Sequence, residues 1–395
     1  MRSESLREHL TVERAILVGF AQGRLAAQSL QESLDELARL LVSAGGVEAG
    51  RVTQRGRPHP AHLVGAGKLE EITAFIGSSP ANLVIFDDEL SPSQIRNLEE
   101  RLEVRVIDRS ILILAIFARH AHTKEARTQV ELAQYQYLYP RLTGHWTHMT
   151  RHEGGIGTRG PGESQLETDR RLVGRRIQRL KRQLGEIDKE RSVQRHGRED
   201  LFKAVMVGYT NAGKSTLFNR LTRSQVWAED RLFCTLDPTT RVLAHDAGRH
   251  VLLTDTIGFI RKLPAPLFAS FRATLSEVAS ADLVLIVLDY ADAGHERALA
   301  EVERSLTAID ADSRRRVIVL NKIDRLNGAP VPPFPMERFE GDVVAVSALD
   351  GTGVDRLVRT ITTLAGTSRT RSRARTARAR IGWERKGAVT VRRMG

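Results

Sequence analysis

The sequence contains a single cysteine, Cys234, among 395 residues, so the chain cannot form an internal disulfide. It also lacks long apolar runs, since runs such as 111–118 fall far short of the roughly 20 residues that a membrane-spanning helix needs. The first ten residues include Glu4 and Glu8 and no apolar block of the signal-peptide type. These absences predict a cytoplasmic protein without a membrane span. Peripheral association with a membrane remains compatible with them.

The composition excludes a largely disordered or fibrous chain, because 41% of the residues are hydrophobic and 27% are charged. At roughly 150 residues per domain, the length predicts two or three domains. The net charge is +12, and residues 366–395 contribute +9 of it, with ten Lys or Arg and one acid. Such a basic tail favours a polyanionic partner, with nucleic acid as the first candidate. The alternative is a tail that only keeps the protein in solution.

The first 122 residues alternate between strand and helix patterns. Short apolar runs at 15–20, 83–86 and 104–107 predict strands, and residues 29–42 and 92–102 have helical periodicity. Strands separated by helices are typical of a parallel sheet with crossover helices. The sequence therefore predicts a small N-terminal α/β domain over residues 1–122.

Two long helices are predicted between residues 123 and 200, over 124–139 and 166–193. Apolar residues in the second recur at steps of 7, 4, 3, 4 and 3, which is coiled-coil spacing, so we expect an antiparallel hairpin. Between them, residues 144–163 are glycine-rich and predict a long loop that could approach an RNA backbone closely. The candidate RNA contacts in this loop are Gly154, Gly155, Gly157, Arg159, Gly160 and Gly162. The alternative is a plain hairpin tip.

A phosphate-binding loop follows the apolar strand predicted at 203–207. Its sequence has the pattern G-x-x-x-x-G-K-S and leads into a helix, as a P-loop requires. Backbone amides of such a loop surround the phosphates, Lys214 would reach the β- and γ-phosphates, and the Ser215 hydroxyl would bind Mg²⁺. The predicted phosphate-binding residues are Gly208, Tyr209, Thr210, Asn211, Ala212, Gly213, Lys214 and Ser215.

Base selection is predicted to depend on two later motifs. Asn321, Lys322, Ile323 and Asp324 follow the apolar run 317–320, at the strand end where open α/β sheets bind ligands. The Asp324 carboxylate can accept hydrogen bonds from the guanine N1–H and 2-amino group, which adenine lacks, so GTP rather than ATP is expected. The tripeptide Ser347, Ala348 and Leu349 follows the next strand and resembles the guanine-supporting loop of GTPases.

Two candidate switch segments complete the site. Asp255, Thr256, Ile257 and Gly258 follow a short strand, so Asp255 would hold Mg²⁺ through water and the Gly258 amide would sense the γ-phosphate. The other segment contains Phe233, Cys234, Thr235, Leu236 and Asp237. The Thr235 hydroxyl is the candidate for a second Mg²⁺ contact, with Thr239 or Thr240 as alternatives. Lys214, Thr235 and Gly258 are the predicted catalytic residues.

Two positions carry further hypotheses. Phe259 occupies the position where Ras-type enzymes have the glutamine that orients the attacking water, so slow intrinsic hydrolysis with acceleration by a partner is predicted. The Asn211 amide oxygen could bind K⁺ beside the phosphates, or this residue could only shape the loop.

These motifs together resemble the translation-factor-related GTPases, and most closely the HflX family. The glycine-rich loop 154–163 and the stretch 255–264 carry the resemblance outside the general GTPase motifs. The resemblance spans about residues 10–365. It implies a Ras-like, doubly wound P-loop GTPase domain over 201–365, preceded by the α/β domain and hairpin.

The resemblance also implies a function. HflX-like proteins bind the large ribosomal subunit and its rRNA and are linked to the splitting of stalled ribosomes, and we expect a monomer that uses GTP and Mg²⁺. The alternatives are a GTP-regulated RNA-binding or ribosome-assembly factor without splitting activity, and a nucleotide-dependent scaffold with negligible turnover. We expect the chain to depart from the family pattern after residue 365, where the basic tail 366–395 would be either a shortened form of the family's small C-terminal domain or an RNA-binding extension.

Overall fold

The computed structural model describes residues 13–22, 26–142, 165–196, 201–224, 232–233, 237–243, 251–262, 277–311, 314–326 and 341–367, and single residues at 264, 267, 331, 334 and 339. The chain forms two compact units. Unit 1 comprises residues 1–196, 229–237 and 260–273, and unit 2 comprises residues 197–228, 238–259 and 274–395.

Unit 1 is built on a four-stranded sheet in the order β2-β1-β3-β4, in which all pairs are parallel. Its elements are β1 (Arg14–Ala21), α1 (Ala26–Ala44), β2 (Val47–Arg55), α2 (Ala66–Ser78), β3 (Leu83–Phe86), α3 (Pro92–Leu102), β4 (Arg105–Asp108), α4 (Arg109–His120), α5 (Lys124–Leu138), a 3-10 turn (Tyr139–Arg141) and α6 (Gln165–His196). The predicted parallel sheet with crossover helices is therefore present.

Local sequence explains where several of these helices begin. Ser91 and Gln94 form a capping box at α3, with Pro92 at the first helical position. Asp108 caps α4 by accepting the Ile111 N–H at 3.0 Å, and Thr123 caps α5. In each case, an unpaired amide of the first turn is satisfied by a side chain that the sequence places directly before the helix.

Helices α5 and α6 pack against each other within unit 1, as the spacing of apolar residues predicted. Leu180 is the buried centre of the α6 seam, and Ile177 and Leu184 beside it are half-buried. Arg176 donates to Glu131 of α5 from Nε at 2.8 Å and from Nη2 at 2.6 Å. The opposite face of α6 is exposed to solvent.

In unit 1, a buried ion cluster links α1, α4 and the residues directly after β3 with Lys262. The Arg109 guanidinium pairs with Asp87 at 2.7 Å and Glu36 at 2.8 Å, and all three side chains are at most 5% exposed. Lys262 Nζ lies 2.6 Å from Asp87 and 2.7 Å from Asp88. Burial alone would raise the pKa of Asp87, but the charges of Arg109 and Lys262 outweigh it and hold that pKa below its usual value.

Unit 2 contains a six-stranded sheet in the order β10-β9-β8-β5-β7-β6, in which only the β6–β7 pair is antiparallel. Its elements are β5 (Phe202–Gly208), α7 (Lys214–Thr222), β6 (Thr239–Val242), β7 (Val251–Asp255), β8 (Leu283–Asp289), α8 (His295–Thr307), β9 (Arg316–Asn321), a 3-10 turn (Ile323–Leu326), β10 (Asp342–Ala345) and α9 (354–367). This is the predicted doubly wound P-loop GTPase fold. The strand order reverses around central β5, and ligands bind such sheets at the carboxyl ends beside this point.

The core of unit 2 explains its strand sequences. The central strands β5 and β8 are covered on both faces and read as continuous apolar runs, with every residue from 283 to 288 buried. Helices α7 and α9 contribute Leu217, Phe218, Leu357 and Ile361 to the same cluster. Within the described residues, no helix is both long enough and apolar enough to cross a membrane.

Candidate nucleotide-binding site

The G-x-x-x-x-G-K-S segment forms a loop between β5 and α7 in unit 2. Gly213 has a φ of +87°, and a Cβ there would lie 2.3 Å from the Asn321 Nδ2 atom, so only glycine fits. Helix α7 begins at the next residue, Lys214, whose Nζ donates to the Tyr209 carbonyl at 2.9 Å. The loop therefore places a buried ammonium group beside the amino end of a helix, which is the arrangement that favours bound phosphate.

The end of β7 approaches the start of α7. Ser215 Oγ donates to Asp255 Oδ2 at 2.7 Å, and Asp255 is fully buried. A hydroxyl and a carboxylate are hard oxygen donors of the kind that Mg²⁺ prefers, so these two residues fit a magnesium ion. Among the described residues, no group of three or more His, Cys, Asp or Glu side chains is arranged to hold a metal ion.

The Asp255–Gly258 segment is packed closely against the P-loop. Phe259 and Tyr209 form a parallel bridge, in which the Thr210 N–H donates to the Phe259 carbonyl at 2.8 Å. A Cβ on Gly258 would lie 2.8 Å from Thr210 Cα and 2.9 Å from Lys214 Nζ. Glycine at this position therefore permits the backbone to approach the lysine that the sequence assigns to the phosphates.

Residues 321–324 and 347–349 meet at the carboxyl ends of β9 and β10. The fully buried Asn321 donates to the Ala212 carbonyl at 2.9 Å and accepts the Ala348 N–H at 3.0 Å. Asp324 accepts a hydrogen bond from Ser347 Oγ at 2.7 Å, through its Oδ1 atom. The three predicted motifs are thus joined by hydrogen bonds into one cluster, although they are far apart in the sequence.

Comparisons with known proteins agree with this geometry. Residues 31–118 match the family profile "GTP-binding GTPase N-terminal", residues 120–198 match "GTP-binding GTPase Middle Region", and residues 203–322 match "50S ribosome-binding GTPase". The chain is 44% identical over 357 residues to "GTPase HflX" of Magnetococcus marinus, covering 89% of this chain and 82% of that protein. It is 47% identical over 327 residues to "GTPase HflX" of Escherichia coli K12, covering 82% and 76%.

The chain belongs to the HflX family of GTPases. A solved structure described as "crystal structure of SsGBP and GDP complex" is also similar, with a TM-score of 0.51 and 26% identity over 90% of this chain and 99% of that one. Residues 203–322, which include most of the unit 2 cluster, therefore form the GTPase domain of an HflX-family protein.

Several predicted site residues of this HflX-family chain have other described contacts. The Thr256 hydroxyl is fully buried and donates to the Met206 carbonyl at 2.7 Å, so it fastens β7 to β5. Phe259 is also buried. Thr240 Oγ1 lies 2.9 Å from Thr254 Oγ1 on paired strands β6 and β7. Leu349 is 72% exposed, and its carbonyl accepts a hydrogen bond from Arg220.

Two other predicted switch residues, Phe233 and Asp237, have described contacts in unit 1. Phe233 and Asp237 group with unit 1, where the Phe233 ring packs on Phe117 at 4.5 Å and Asp237 accepts a hydrogen bond from the Thr123 hydroxyl. Their assignment to GTP binding stays a prediction. Cys234, Thr235 and Leu236 lie outside the described residues, and so do all six predicted RNA contacts of the glycine-rich loop.

The structure adds three contacts that the sequence motifs did not reveal. Lys322 Nζ donates to the Asn211 carbonyl at 2.7 Å and to Asp289 Oδ2 at 2.6 Å. Arg220, in the last turn of α7, donates to the Ala348 carbonyl at 2.8 Å. The sequence could have indicated Asp289 as a site residue, because it lies at the carboxyl end of an apolar strand, where open α/β sheets bind ligands. Nothing in the local sequence marks Arg220, because its partner lies 128 residues away.

Proposed function

We propose that this HflX-family GTPase associates with the large ribosomal subunit and dissociates stalled or idle 70S ribosomes in its GTP-bound state. The observation that carries this proposal is a cationic helix face in a chain that also has a guanine-nucleotide site. The profile matched by residues 203–322 is described as a 50S ribosome-binding GTPase, which supports the same partner.

The cationic face lies on α6. Arg175, Arg179 and Arg182 follow one another at steps of four and three residues, so they share one face, and all three are exposed. No acidic residue occurs between positions 170 and 185. The buried Leu180 lies on the opposite side, against α5. A row of guanidinium groups fits the phosphate backbone of RNA, in which the large ribosomal subunit is rich.

In the nucleotide site, we assign phosphate binding to the backbone of residues 208–215 and to Lys214. Ser215 and Asp255, the latter through water, are the proposed Mg²⁺ ligands, and Thr235 is proposed as a further ligand. Magnesium would neutralise charge on the phosphates. We assign recognition of the guanine base to Asp324 and to the loop 347–349. The Gly258 amide is proposed to sense the γ-phosphate and so to distinguish GTP from GDP.

Intrinsic hydrolysis is proposed to be slow and to be stimulated by the ribosome. The reason is Phe259, whose buried hydrocarbon ring cannot orient an attacking water as a glutamine does. Ribosome dissociation is then driven by the difference between the affinities of the GTP-bound and GDP-bound protein for the ribosome. Fast steady turnover by the purified protein, without ribosomes, would contradict this assignment.

Potassium is proposed as an additional ligand of the site, bound by the Asn211 amide oxygen. Asn211 has a φ of +62° and lies in the loop between Gly208 and Lys214, where a monovalent cation would add positive charge near the phosphates. GTP hydrolysis should then be faster in KCl than in NaCl at equal ionic strength. Equal rates in the two salts would leave Asn211 with a role in loop shape alone.

The glycine-rich loop 144–163 and the basic tail 366–395 are proposed as further RNA contacts, at the tip of the hairpin 123–200 and after the GTPase domain 201–365. Ten basic residues in the tail would add affinity that is independent of RNA sequence and falls with salt. Deleting the tail should therefore flatten the salt dependence of ribosome binding more than it changes GTP hydrolysis.

The decisive experiment is a sucrose-gradient profile of 70S ribosomes incubated with the full chain and GTP, a non-hydrolysable GTP analogue, or GDP. Conversion to subunits with GTP or the analogue, with the protein on the large subunit, is the expected result. GDP should give no conversion. Binding without subunit release would favour an assembly or regulatory factor, and absence of co-migration in every state would refute a ribosomal partner.

A pair of matched variants tests the α6 face. Arg175→Glu/Arg179→Glu reverses two exposed charges on this face, and Arg356→Glu/Arg359→Glu reverses two exposed charges on α9. We expect the first variant to lose ribosome binding by about 10²-fold while keeping its GDP affinity, because it replaces attraction to phosphates with repulsion. Equal losses in both variants would show only a general effect of net charge.

A further inference from the structure

The side chain of Asp289 lies between the base-selecting motif and the P-loop, and no sequence motif includes it. It is the last residue of β8 and stands opposite Asn321 in the parallel register of β8 and β9. Its Oδ2 atom lies 2.6 Å from Lys322 Nζ. The same ammonium group donates to the Asn211 carbonyl in the P-loop at 2.7 Å. One cation therefore connects a carboxylate on the sheet with the backbone that surrounds the phosphates.

The two residues joined by the Lys322–Asn211 hydrogen bond both have a backbone φ in the positive range. Asn211 and Lys322 each have a φ of +62°, in the left-handed region of backbone conformation that residues other than glycine adopt less often. Such conformations persist only where the surroundings hold them, and they concentrate at functional sites. The hydrogen bond from Lys322 to Asn211 joins these two residues, so the Lys322 side chain helps to fix the backbone of the P-loop.

The ion pair has the burial needed to hold this geometry. The Lys322 and Asp289 side chains are 13% and 22% exposed, so solvent screens them less than a surface pair. An ammonium group has three donors and no fixed direction, so the position of its partner decides where it points. Asp289 Oδ1 also accepts the Ala291 N–H at 3.3 Å, which holds the carboxylate at the end of β8.

We propose that Asp289 is a positioning residue for nucleotide binding, which directs Lys322 onto the Asn211 carbonyl and thereby fixes the P-loop in its binding conformation. This inference rests on the proposed roles of the P-loop and of residues 321–324. It predicts that removing the Asp289 charge accelerates nucleotide release, although Asp289 itself touches no nucleotide.

The test is a double-mutant cycle on the dissociation rate of a fluorescent GDP analogue from the full chain. Asp289→Asn retains an oxygen for the Ala291 N–H but places an amide in place of the charged Oδ2 atom, so it removes the ion pair selectively. We expect dissociation to become about tenfold faster in Asp289→Asn, as for the loss of one charge-assisted hydrogen bond. Lys322→Ala should also be faster, and the double variant should be no faster than Lys322→Ala alone.

The control is Asp292→Asn, three residues further along, where the exposed Asp292 accepts only the Gly294 N–H among its described side-chain contacts. It should release GDP at the wild-type rate. An unchanged rate in Asp289→Asn, or additive effects in the double variant, would overturn the inference, since a role in folding alone does not require Lys322. An unchanged rate in Lys322→Ala would instead refute the proposed role of residues 321–324.

Discussion

The substitution Asp324→Asn should change the base that the site prefers. Asp324 lies at the carboxyl end of β9, and its Oδ1 atom is held by the Ser347 hydroxyl at 2.7 Å. Asparagine can keep this bond through its own Oδ1 atom. The other oxygen then becomes an NH₂ donor, so the side chain would present a donor to the guanine N1–H and 2-amino group, which are donors themselves.

The expected magnitude follows from the number of hydrogen bonds that change. Two hydrogen bonds from guanine to a carboxylate contribute about 1.5–3 kcal/mol each, so their loss corresponds to about 3–6 kcal/mol. Asp324 is only half-buried, which favours the lower end of this range. We therefore expect GDP affinity to fall by about 10²-fold. Xanthine carries a carbonyl in place of the 2-amino group, so XDP affinity should rise.

The assay is competition of GDP and XDP against a fluorescent GDP analogue, with the thermal midpoint of each variant measured alongside. The control is Asp342→Asn, which makes the same chemical change at an exposed position at the start of β10. It should bind both nucleotides like the wild type. If Asp324→Asn weakened GDP and XDP equally, the carboxylate would not be reading the base, and the assignment of Asp324 would be refuted.

Three further predictions concern packing and charge. Gly258→Ala should lower the GTP hydrolysis rate by about 10²-fold in a phosphate-release assay, with GDP still bound, because its Cβ would lie 2.9 Å from Lys214 Nζ; an unchanged rate would refute the close approach. Arg109→Met should cost about 3–5 kcal/mol of unfolding free energy in urea titrations, because buried Glu36 would lose the Arg109 cation and buried Asp87 would retain Lys262 alone of its two cations; a loss within 1 kcal/mol, on the order of a surface substitution, would contradict the buried cluster. The pKa of Asp87 is lowered in the folded state, so its contribution is complete above the unfolded value of about 3.8 and is lost as the pH falls through the lower folded value. The stability difference between the wild type and Asp87→Asn should accordingly shrink on acidification from pH 5 to pH 2.5, and a constant difference would exclude this linkage.

Much of the nucleotide site could be predicted because its residues follow one another in the chain. The P-loop needs a strand, a glycine-rich turn and a helix in sequence, and all three are visible between positions 203 and 221. The motif 321–324 was likewise placed correctly at the end of an apolar strand. For these segments, the apolar pattern and the order of the motifs along the chain are enough to predict the strands and loops that the structure shows.

Three elements of unit 1 were not predicted, for identifiable reasons. Strand β2, Val47–Arg55, alternates poorly because it lies at the edge of its sheet and pairs only with β1. Helix α4, Arg109–His120, has an exposed side at Ala115 and Ala118, but these residues are themselves apolar, so the run 111–118 shows no helical periodicity in the sequence. Helix α2, Ala66–Ser78, begins after Gly65, which has no side chain to cap the helix, so no capping residue marks its start.

The sequence by itself determined the class of this protein: the P-loop, the segment 255–258 and the motif 321–324 occur in the order that GTPases have, each within a few residues. Only the tertiary structure decided which side chains hold those motifs in place. Asp289 meets Lys322 across two strands, and Lys262 joins the Asp87 pair from 175 residues away. Long-range pairs of this kind have no local signature, because an exposed and a buried carboxylate look alike in a sequence until folding removes the water around one of them.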